Sequence, residues 1–62
     1  MNLTIEELER RLYAANDELG LRQLWEFDEA IAFGEIQDAE AALEKFSILA
    51  QVHLEDIERR LR

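Results

Sequence analysis

Leu43, Phe46, Ala50, Leu54, Ile57 and Leu61 recur at a mean spacing of 3.6 residues over eighteen positions, which is the repeat of one helix face followed through five turns. A stripe of this length predicts a long C-terminal helix over residues 38–61, with Ala39 and Leu49 widening its apolar side. Arg59, Arg60 and Arg62 each follow an acid by four positions at its end, so side-chain pairing and the helix dipole agree on its direction. Little in the chain interrupts helices: proline is absent and there are only two glycines. The class expected is all-α.

Two shorter helices are expected upstream. Thr4-Ile5-Glu6-Glu7 is a capping-box pattern, in which Thr4 accepts from the amide three residues on and Glu7 reaches back. Ile5, Leu8, Leu12, Ala15 and Leu19 follow at alternating spacings of three and four, a stripe that extends the first helix over 4–19. Leu19-Gly20-Leu21 reads as a left-handed cap, with Asn16-Asp17 as a competing, earlier stop. The second helix is expected over 21–33, with Leu21, Leu24, Trp25, Phe27, Ile31 and Ala32 on its inner side and Gly34 ending it. The architecture expected is thus a single domain over residues 1–62, a helical hairpin or three-helix module.

A chain of 62 residues buries only about 60% of the surface its unfolded form exposes, so its stability is slender unless something braces it. Cysteine is absent, which removes disulfides and thiolate metal sites as braces. Oligomerisation is the device left. On a continuous helix over 38–61, Ile48 and Val52 project away from the main stripe, where an isolated bundle would be polar. They are the expected self-association face of a homodimer built through the long helix.

The stretch from Gly34-Glu35-Ile36-Gln37-Asp38-Ala39 through Leu43 and Phe46 resembles the turn and second helix of a tetratricopeptide repeat, where glycine, a small alanine and an aromatic recur at such spacings. The resemblance covers thirteen residues, and the tryptophan and leucine pattern of that repeat's first helix does not line up upstream. Arrays of such repeats need at least three copies. What the resemblance implies is a helical hairpin turning at Gly34.

Charge narrows the function. The net charge is −8, and Gln23 to Glu44 holds seven carboxylates with no base, while the remaining forty residues are nearly balanced. Such a field repels phosphate backbones, which argues against direct nucleic-acid binding and suits a partner protein with a basic or apolar surface. No apolar run reaches membrane-spanning length and the N-terminus lacks a signal-peptide core, so no membrane association and a cytoplasmic protein are expected. His53 is the only histidine, Glu-x-x-His is absent, and Ser47 has no histidine within one helical turn. No metal site, cofactor or enzymatic activity is therefore expected.

What remains is a protein–protein interaction module: a small adaptor, inhibitor or regulator. Its expected partner surface is the acidic, aromatic zone of Trp25, Glu26, Glu29, Phe33, Glu35 and Asp38. A nucleic-acid mimic that blocks a DNA-binding protein, or a structural assembly or co-chaperone subunit, is the alternative. Three further residues stand out as candidate buried polar groups. Asp28 lies among Leu24, Trp25, Ile31 and Ala32, either at the wet edge of that stripe or buried with the Tyr13 phenol as its donor; His53 lies on the apolar face of the third helix.

Overall fold

In the computed structural model, which describes residues 3–61, the chain is all-helical: α1 (Ile5–Ala14), α2 (Glu18–Ala32), α3 (Ile36–Lys45), a 3-10 helix (Ser47–Gln51) and α4 (Leu54–Leu61). The capping box at α1 forms as expected: the Glu7 amide donates to the Thr4 hydroxyl at 3.1 Å and the Thr4 amide donates to the Glu7 carboxylate at 2.9 Å. The Thr4 amide and hydroxyl hold the Glu7 carboxyl below its ordinary value, with Arg10 and Arg11 adding to the effect.

Two Schellman motifs set the connections. After α1, the Asp17 amide donates to the Leu12 carbonyl at 2.9 Å and the Asn16 amide to the Tyr13 carbonyl at 3.1 Å, with Asn16 left-handed at φ 54°. After α2, the Glu35 amide donates to the Ala30 carbonyl at 2.8 Å and the Gly34 amide to the Ile31 carbonyl at 3.0 Å, with Gly34 at φ 72°. The second turn is the one expected. The first corrects the expected boundary at Gly20: asparagine tolerates the left-handed region, and Asp17 then starts α2 by accepting from the Gly20 amide at 2.9 Å. Leu19 consequently belongs to α2 and is exposed, not part of the α1 stripe.

Gly20 is buried and has a different purpose. A Cβ at this position would lie 2.8 Å from side-chain atoms of Leu12, Asp17 and Ile48 alike, so its bareness lets α2 approach α1 and the 3-10 helix.

The long C-terminal helix does not form, and the reason lies in a second spacing hidden within the first. Phe46, Leu49 and Val52 are three apart and all buried: the short 3-10 helix carries Leu49 at its middle, and Phe46 and Val52 flank it as its caps. The backbone is extended at Phe46 and again at Val52, which separates α3, the 3-10 helix and α4. At the second break the Leu3 amide donates to the Gln51 carbonyl at 3.0 Å and the His53 amide to the Leu3 carbonyl at 2.7 Å, a single parallel bridge between Leu3 and Val52. The changed register exposes Ala50 and Leu54, which the continuous stripe placed inside, and buries Val52 and Asp56. Val52 is therefore core, and Ile48 is partly buried against it; the outward face expected of this pair is not present in this fold.

The core centres on Leu8, Leu24, Phe27 and Leu49, one from each of α1 and the 3-10 helix and two from α2. Asp56 of α4 is buried at its edge and accepts from the Ile5 amide at 3.0 Å, so a side chain 51 positions away satisfies the first amide of α1. Arg60, one turn later, has its Nε 3.7 Å from the same carboxylate, donates to Asp28 at 2.9 Å and pairs with Glu6. One guanidinium thus joins α1, α2 and α4. Among the described residues no buried side-chain nitrogen or oxygen lacks a partner.

Two outcomes follow for stability. Asp56→Ala, which strands the Ile5 amide, lowers unfolding free energy by about 2–3 kcal/mol in urea titration, whereas Asp56→Asn, which keeps an acceptor oxygen, loses about half of that. Gly20→Ala, despite the helix-forming advantage of alanine, lowers it by about 1 kcal/mol because three side chains must move to admit one methyl group.

Candidate functional site

The Gly34 turn folds α3 back along α2, and these two helices form the most extensive helix–helix contact. Their outer sides bound a groove of about 470 Å³. Its floor is made by Ala30 of α2 with Ala41 and Ala42 of α3, small side chains that keep the channel open between two closely packed helices. Phe33 stands at the turn end and is 71% exposed. Glu26, Glu29, Glu35 and Asp38 line the walls, and Lys45 lies at the end away from the turn.

These carboxylates are uncommitted. None of Glu26, Glu29, Glu35 and Asp38 makes a hydrogen bond or ion pair with another side chain among the described residues, and Glu35 precedes α3 without capping it. The Lys45 ammonium sits 5.0 Å from the centre of the Phe46 ring, a cation–π contact within its own helix end. By helical rise, Glu29 and Asp38 lie within about 8 Å of the turn and Glu26 and Lys45 about 12–16 Å from it. The groove is thus strongly acidic at the turn and nearly neutral at its far end.

Five of the six residues expected to bind a partner therefore share one groove. Trp25 is the exception. It projects from the side of α2 that faces α1, where its ring is 6.3 Å from that of Tyr13 and its indole N–H donates to Glu9 at 2.9 Å. Trp25 and Tyr13 border a second cleft of about 400 Å³ with Leu21 and Arg22. Asp28 lies at the wet edge of its stripe, the first of the two placements open to it, and pairs with Arg60; the buried alternative with the Tyr13 phenol as donor does not form, since Tyr13 is exposed and engaged with Trp25. His53 is the residue before α4, and its Nδ1 accepts from the Glu55 amide at 3.1 Å. This fixes His53 as a capping residue at that helix start.

Ala30, Ala41, Ala42 and Lys45 were not singled out from sequence. The signal available was the density of alanine on α3, Ala39, Ala41 and Ala42 within four positions, which marks a surface that a neighbouring helix can approach closely. Among the described residues no three histidine, aspartate or glutamate side chains converge as a metal would require, and no helix is long and apolar enough to cross a membrane. Comparison with family models, with curated proteins and with solved structures found no match to the chain.

The exposure of Phe33 and the burial of Val52 make opposite predictions for the same change. Phe33→Asp alters the unfolding free energy by no more than about 0.5 kcal/mol, whereas Val52→Asp, placing a carboxylate in the core, removes the cooperative thermal transition in circular dichroism.

Proposed function

We propose that this protein is a non-catalytic interaction module that binds a partner protein through the groove between α2 and α3. The observation that carries the proposal is the convergence of Phe33 with four unpaired carboxylates over an alanine floor. A large exposed aromatic at the head of a groove is the kind of residue from which an interface draws most of its energy, and an acidic rim speeds encounter with a basic surface. Neither feature is needed by the fold: the core closes without Phe33, and the ionic clasp uses Glu6, Asp28 and Asp56 instead.

Of the residues first expected to mediate self-association, Val52 is in the core and Ile48 is partly buried against it, which moves the weight of the reading from a second copy to a different protein. An adaptor, inhibitor or regulator fits this description. A nucleic-acid mimic fits less well, because imitation of phosphates calls for acids alone and leaves the alanine floor and Phe33 without a purpose.

The test is affinity capture from the native cell with wild-type protein and with Phe33→Asp and Glu29→Lys/Glu35→Lys variants of unchanged stability. The proposal expects a partner that binds the wild type directly when purified and loses about tenfold or more in affinity for each variant. A purified partner whose affinity none of these changes alters would overturn it.

A further inference from the structure

Resting on that reading, we infer that the groove takes a cationic amphipathic α-helix, lying lengthwise between α2 and α3 with its basic end over the Gly34 turn. The floor supplies the first reason. Ala41 is exposed and Ala30 and Ala42 are buried beside it, so no long side chain stands along the floor to hold a third helix away, and helices packed through small residues approach to about 8 Å between axes. The groove runs along two helices for about 16 Å, which matches about three turns of a helical segment.

Charge complementarity supplies the second reason and the direction. Glu29, Glu35 and Asp38 crowd the turn end without internal partners, while Lys45 offsets Glu26 at the far end. A bound segment with lysine or arginine at one end is therefore favoured in one orientation and opposed in the other, since reversal would bring its bases to Lys45. Phe33 supplies the third. It stands beside the floor at the acidic end, so a large apolar side chain of the occupant has a ring to pack against while the basic side chains on either side reach the carboxylates.

The experiment uses the full chain and synthetic peptides of about fourteen residues, with leucines along one helical face and lysines grouped at one end. Three controls have the same composition or length: one with the lysines moved to the opposite end, one with glutamate for lysine, and one scrambled to abolish the apolar face. Amide chemical-shift changes in the labelled protein report site and affinity. The expected result is saturable binding with changes centred on Ala30, Phe33, Ala41 and Ala42. Affinity falls about tenfold or more for Phe33→Asp, for the glutamate peptide and on raising salt from about 50 to about 500 mM. A spin label at the lysine end broadens the resonances of Gly34 and Glu35, whichever end of the peptide carries the lysines.

Absence of saturable binding below about 1 mM, equal binding of the scrambled peptide, or changes centred on Tyr13 and Trp25 would each overturn the inference. A photo-crosslinking benzophenone residue in place of Phe33 separates this from the broader reading. A captured partner joined through an acidic or extended segment leaves the interaction module standing and removes the cationic helix.

Discussion

Asp56 is the point on which the rest of the structure depends. Its carboxylate is buried, accepts the first amide of α1 and faces the Arg60 guanidinium, so the start of the N-terminal helix is completed by a side chain of the C-terminal helix. A charge is seldom held this far from water without partners, because the desolvation cost must be offset by hydrogen bonds to the charged form. Here those bonds come from opposite ends of the chain, from the Ile5 amide at 3.0 Å and the Arg59 guanidinium at 3.5 Å, with Arg60 adding an ion pair. Beside it, the Leu3–Val52 bridge ties the same two regions through the backbone. In a molecule too small for a deep core, this closure is the brace that a disulfide or metal supplies in other small domains.

The closure has a consequence for the opposite side of the molecule. α1 packs on α2 and the 3-10 helix on both α2 and α3, while the groove between α2 and α3 remains open, and it is there that the unpaired acids collect. Arg59 and Arg60 are committed to Glu6, Asp28 and Asp56, and Lys45, at the far end of the groove, is the one base among its lining residues. Glu26, Glu29, Glu35 and Asp38 thus collect along the groove, while Asp28 joins Glu6 and Asp56 in the ion-paired clasp around Arg60.

Much of the local grammar was legible. The capping box, the Gly34 stop and the burial of Leu8, Leu12, Leu24 and Phe27 follow from spacing and propensity within a few residues of chain. The failures share a cause. Leu43 to Leu61 satisfies a helical repeat as a string, but Phe46, Leu49 and Val52 also satisfy a repeat of three, and choosing between them requires knowing what they pack against. Gly20 and Asn16-Asp17 likewise offered two places to turn. Close packing of Gly20 against Leu12 and Ile48 supports the earlier one.

By itself the sequence determined the helical class, the three caps at Thr4, Asn16-Asp17 and Gly34 as possibilities, and the acidic block from Gln23 to Glu44, because each depends on residues one or two turns apart. Only the tertiary structure decided that the C-terminal half breaks into three pieces, that Asp56 caps a helix 51 positions away and that Arg60 neutralises Asp28. It also separated Trp25 from the groove that collects Phe33, Glu26, Glu29, Glu35 and Asp38. These outcomes rest on contacts between residues far apart in the chain, and a periodic pattern carries no information about which distant side chain will meet it.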